Sequence, residues 1–94
     1  MTMNRVVLEF DPDLNCVAGT DYGAEVYNSQ VKGKLNFNEK AVIEFPKTII
    51  TASSSFVGGF LGALIDDIGK EKYEENVCFS GYNTMTENFY TYFE

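Results

Sequence analysis

One stretch limits the fold more than any other: "KAVIEFPKTIITASSSFVGGFLGALIDDIG", residues 40–69. It contains a strand and a helix in succession. "KAVIEF" is rich in β-branched and aromatic residues, and Pro46 ends the run because proline has no N–H for a sheet ladder. "KTIIT", residues 47–51, continues in extended form. From Ser54 onward, Val57, Leu61, Leu64, Ile65 and Ile68 recur at spacings of three and four, which is one helical face, widened by Phe56 and Phe60. Ser53, Ser54 or Ser55 can cap the helix, since a serine oxygen accepts from the free N–H groups of the first turn. Gly69 fits the position just past its end. Asp66 and Asp67 lie where the helix dipole disfavours acids, so the sequence assigns them to solvent with no structural role.

The glycines in that helix need a reason. Gly58, Gly59 and Gly62 together cost roughly 2–3 kcal/mol relative to alanine. Gly58 and Gly62 are four residues apart, as are Gly59 and Ala63, so they form a strip of small residues beside the apolar face. Tight packing on the protein's own sheet is favoured over a docking groove for a partner.

The flanking sequence completes an α/β pattern. "NRVVLEF" (4–10) alternates as a strand. "DPDLN" is a turn, and "LNCVAG" (14–19) is expected to pair back as a hairpin. Residues 20–37 have a weak helical period, with Asp21 as N-cap and Gly23 and Gly33 weakening it. "KEKYEEN" after Gly69 reads as charged and exposed, "NVCFSG" (76–81) as a strand, and the tail "NTMTENFYTYFE" as a short helix. The order β-β-α-β-α-β-(α) predicts an α/β fold, a mixed sheet of about four strands with two or three helices packed on it. At 94 residues the chain suits a single domain, 1–94.

Composition narrows the function classes. The net charge of −7 disfavours direct binding to a phosphate backbone and suits a basic protein partner. With no histidine and no CxxC, a zinc site is disfavoured and a Ser-His-Asp or Cys-His arrangement is impossible. Cys16 and Cys78 both fall in strand-like stretches and read as buried free thiols. A serine–lysine pair would need Lys47 or Lys70 near Ser53–Ser55, and nothing marks either lysine as activated. Neither GxxxxGK[ST] nor GxGxxG occurs. The expectation is a protein that is no enzyme and binds no cofactor or metal. The N-terminus shows no signal peptide, and the longest apolar run, residues 56–65, is far shorter than the roughly 20 residues of a membrane span, so a cytoplasmic protein is expected.

The stretch "AVIEFPKTIITASSSFVGGFLGALIDDIG" resembles the STAS-like domains of unknown function (DUF4325). Their pattern is a strand, an extended crossing, a serine pair, a phenylalanine and a helix with "FGGL"-like residues. Here these are Val42–Phe45, Ser54–Ser55, Phe56, and Phe60, Gly62 and Leu64. "AGTDYGAEVYNSQVKGKL" is similar to that family's glycine-containing first-helix region. The resemblance extends distantly to anti-sigma-factor antagonists, in which a partner-switching kinase phosphorylates a serine at the start of the equivalent helix. It implies a non-enzymatic regulatory domain docking a signalling partner, such as an ATPase of the histidine-kinase type. That serine falls at Ser54, with Ser53, Ser55, Phe56, Gly58 and Gly59 as neighbouring partner-binding candidates. Where antagonists usually carry aspartate and glycine around the pair, this chain has Ser53 and Phe56.

The acidic C-terminal third supports a second reading. Residues 66–94 hold seven acids against Lys70 and Lys72, interleaved with Tyr73, Tyr82, Tyr90 and Tyr92. A small acidic inhibitor, like some encoded by phages, would use Glu71, Glu74 and Glu75 to occupy a basic site on a nucleic-acid-binding enzyme.

Overall fold

The computed structural model describes residues 4–93. Its strands and helices alternate as the sequence suggests. β1 (Arg5–Val7), β3 (Ala41–Glu44) and β5 (Val77–Ser80) form a three-stranded parallel sheet in the order β1-β3-β5. β2 (Cys16–Val17) and β4 (Thr51–Ala52) form a second, two-stranded parallel sheet. α1 (Thr20–Gln30) leads to β3; α2 (Ser54–Ile68) and α3 (Lys70–Asn76) lead to β5, and α4 (Asn83–Tyr90) follows.

The α/β class holds, but the expected hairpin does not form. The turn is present: Leu14 N–H donates to the Asp11 carbonyl at 3.0 Å and Asp13 N–H to Asp11 Oδ1 at 2.9 Å. The chain beyond it pairs with β4, not with β1, and every strand pair is parallel. The reason is what this segment gains beside β4: Val17 is buried in the core there, Ile50 N–H donates to the Asn15 carbonyl at 2.7 Å and Ser53 N–H to the Val17 carbonyl at 2.9 Å.

Several local expectations also shift. α1 ends at Gln30, short of residue 37, and Gly19, not Asp21, precedes it as N-cap. Residues 47–50 turn, with Ile49 N–H bonded to the Pro46 carbonyl at 3.0 Å, before β4 begins. "KEKYEEN" is α3, a helix with no buried residue. Gly69 makes it possible: at φ 89° it closes α2 through a 2.8 Å bond to the Ile65 carbonyl and redirects the chain into the next helix. The tail forms α4, as expected, and buries Met85 and Phe89.

One face of the three-stranded sheet carries the core. Leu8, Ile43, Phe45, Val77 and Phe79 meet Val26, Tyr27, Phe56, Phe60, Leu61, Leu64 and Phe89. Phe45 and Phe60 lie 6.0 Å apart between ring centroids, and Phe79 stacks on Phe89 at 4.5 Å. Among the described residues no helix covers the other face: Arg5 and Val7 are exposed, and Val42, Glu44, Cys78 and Ser80 are half-buried. Arg5 reaches Glu44 there at 2.9 Å. Both cysteines are free thiols, but neither is buried as expected: Cys78 is half-buried on the open face of β5, and Cys16 is exposed because β2 turns it outward while burying Val17.

Candidate partner-docking site

Of the small residues of α2, Gly59 packs on the backbone of α1, not on the sheet. At Gly59 an added Cβ would collide with the Thr20 carbonyl oxygen, and at Gly23 of α1 with the Phe56 carbonyl oxygen. The two backbones therefore touch at a crossing that only glycines permit on both sides. Gly58 faces the Tyr92 hydroxyl, whereas Gly62 has open space where a side chain would be. Gly62 and Ala63 line the outer groove between α1 and α2 with Ala24, Asn28 and Lys32.

At the far end of that crossing, Asp67 has a structural partner after all. The Tyr27 hydroxyl donates to Asp67 Oδ2 at 2.7 Å, although the ring itself is wholly buried. Burial, and then the neighbouring carboxylate, push the Tyr27 pKa well above the ordinary tyrosine value. An acid at a helix C-terminus is disfavoured by the dipole but holds a buried phenol in place here.

The three serines at the start of α2 divide into two kinds. Ser53 is the N-cap: its Oγ accepts from Phe56 N–H at 3.1 Å. Ser55 Oγ lies 2.9 Å from Ser53 Oγ and accepts from Gly19 N–H at 3.1 Å, tying the start of α1 to the start of α2. Ser54 is exposed, and its hydroxyl has no hydrogen bond among the described residues. It lines a shallow hollow of about 290 Å³ with Ala52, Asn88, Thr91 and Tyr92. Asn88 is itself fixed, its Oδ1 accepting from Ala52 N–H at 3.0 Å.

Of the other candidates, Gly58 is half-buried beside the same tail, while Phe56 and Gly59 are buried inside the domain. Phe56 packs against Tyr22 at 5.5 Å and Phe60 at 6.2 Å. Glu71, Glu74 and Glu75 are all exposed on α3, and Glu74 lies 3.9 Å from Lys70. Lys70 also sits 5.3 Å above the Phe93 ring. Asn88, Thr91 and Tyr92 were not singled out from the sequence as neighbours of Ser54. The tail has a helical period, but nothing local says which end of α2 it reaches.

No family model, curated protein or solved structure matches the chain. Among the described residues, no helix is long and apolar enough to cross a membrane.

Proposed function

We propose that this chain is a non-enzymatic regulatory domain of the STAS-like kind, docking a signalling partner around the first turn of α2. The observation that carries the reading is Ser54. Its neighbours spend their hydroxyls on the fold, while Ser54 presents its own to solvent beside a hollow. A partner of the kind implied by the resemblance is an ATPase of the histidine-kinase type, able to phosphorylate that hydroxyl. A phosphate there gains from the unpaired N–H groups and the dipole of the first turn, adds about −2 of charge and changes the docking surface. Pocket and charge supply no catalytic constellation in this reading; the domain works by being bound and released.

The test is capture from an extract of the native host with two baits, wild type and Ser54→Asp, each captured protein identified by mass. The reading expects a kinase-like ATPase retained by wild type and reduced at least about tenfold by Ser54→Asp, the effect of roughly 1.4 kcal/mol. Equal retention by both baits overturns it. Capture that survives Ser54→Asp but is lost on reversing Glu71, Glu74 and Glu75 points instead to the acidic face of α3, where all three are exposed.

A further inference from the structure

The two edges of the three-stranded sheet are treated differently. The β5 edge is shut. Phe79 N–H donates to Tyr90 Oη at 2.8 Å, and the same hydroxyl donates to the Phe79 carbonyl at 3.3 Å. Val77 N–H is taken by the Tyr73 carbonyl. One tyrosine thus occupies the donor and acceptor that an added strand would need.

The β1 edge is shut only at its end. Val42 N–H bonds to the Asn4 carbonyl at 2.9 Å, and Leu8 N–H to the Glu44 carbonyl at 2.8 Å. The alternation of a parallel ladder therefore turns Asn4, Val6 and Leu8 toward β3, and Arg5, Val7 and Glu9 away from it. At Glu9 the Gln30 side chain mimics a strand: its Oε1 accepts from Glu9 N–H at 2.7 Å and its Nε2 donates to the Glu9 carbonyl at 2.9 Å. Arg5 and Val7 have no such plug among the described residues, and Val7 is 54% exposed.

We infer that this open edge is a self-association surface, and that its occupant is β1 of a second copy, added antiparallel across a two-fold axis. An unpaired strand edge is complementary to itself in that arrangement alone. With Val6 opposite Val6 of the other copy, Arg5 faces Val7 at both ends of the seam, and each facing pair exchanges both N–H···O bonds. The register keeps the two arginines apart. A register centred on Arg5 sets like charges opposite each other, and one centred on Val7 needs the Glu9 backbone that Gln30 already holds. The product is one six-stranded sheet with both helical layers on the same side. The seam is short, far below the roughly 800 Å² per partner of a standard interface, so the dimer forms at high concentration only.

Sedimentation equilibrium from about 10 µM to 1 mM tests this, a range set by the weak affinity expected of so small a seam. Wild type is expected to move from monomer toward dimer across that range. Both copies carry −7, so added salt strengthens the association by screening their repulsion. Val7→Pro removes an N–H that points away from β3, which an edge strand tolerates, and weakens dimerisation at least about tenfold. Should Val7→Pro fail to fold, Val7→Lys decides, because it sets a like charge opposite Arg5 of the other copy. A wild type that stays monomeric to 1 mM, or folded Val7 variants that dimerise as well as wild type, overturns the inference.

Discussion

Gly59→Ala is expected to destabilise the domain by about 3 kcal/mol or more, the range of severe overpacking. The added methyl would meet the Thr20 carbonyl oxygen, carbon and Cα, all backbone, so no side-chain rotation relieves it. Gly23→Ala at the other side of the same crossing meets the backbone of Phe56 and Phe60 and carries a similar cost. Gly62→Ala has the opposite sign. Nothing lies within 4 Å of the added carbon, so removing a helix-interior glycine gains about 0.5–1 kcal/mol. Urea denaturation of the three variants reads both signs together. If Gly59→Ala and Gly62→Ala shift the midpoint alike, the α1–α2 crossing is not the close backbone contact described here.

The second large effect is at the other end of that crossing. Tyr27→Phe keeps the buried ring and removes only the hydroxyl that binds Asp67, at an expected cost of about 1.5 kcal/mol near neutral pH. Asp67 is exposed and regains water, which keeps the loss at the low end for a hydrogen bond to a charged group. The sign with pH follows from the raised folded-state pKa. The neutral phenol is the form the fold favours, so this contribution is fully present below the unfolded tyrosine pKa of about 10 and fades as pH rises above it. The stability gap between wild type and Tyr27→Phe should therefore be constant from pH 7 to 9 and shrink above pH 10, a window set by that unfolded value. Tyr22 and Tyr73 are also raised by burial and titrate in both proteins, so the difference isolates Tyr27. A gap that is flat or widening above pH 10 contradicts the assignment.

What could be read in the sequence followed the range of its signals. α2 was legible from Ser54 to Ile68 because its period, its serine cap and Gly69 are all local, and all agree. β3 and β5 were legible for the same reason: β-formers bounded by Pro46 in one case and Gly81 in the other. The partner of a strand is not local. "LNCVAG" after a good turn has every local mark of a hairpin's second strand, yet it pairs with Thr51–Ala52, far along the chain, where Val17 is buried. α3 went unread because none of its seven residues is buried completely, and a single half-buried Tyr73 leaves no apolar period to see. The small-residue strip was visible, yet the element it touches was not: a glycine announces a close approach without naming what approaches. Asp67 illustrates the converse. The dipole argument against it is sound for an isolated helix and is outweighed by one buried hydroxyl from α1.

At the candidate site the sequence supplied the serines but not their division. Three consecutive hydroxyls are equivalent as letters, and the helix start at Ser54 separates them. It makes Ser53 the cap, turns Ser55 toward Gly19 and leaves Ser54 outward. The hollow beside Ser54 also depends on α4 returning to the start of α2, which Asn88 secures through Ala52 N–H.

Denaturation of the three single alanine variants tests that division most directly. Ser53→Ala should lose about 1 kcal/mol with its cap, and Ser55→Ala about 0.5–1.5 kcal/mol with its bond to Gly19. Ser54→Ala should stay within about 0.5 kcal/mol of wild type, as a surface change does. A loss at Ser54 as large as that at Ser53 would mean that the fold already uses this hydroxyl, and the site proposed for a partner would not exist in this form.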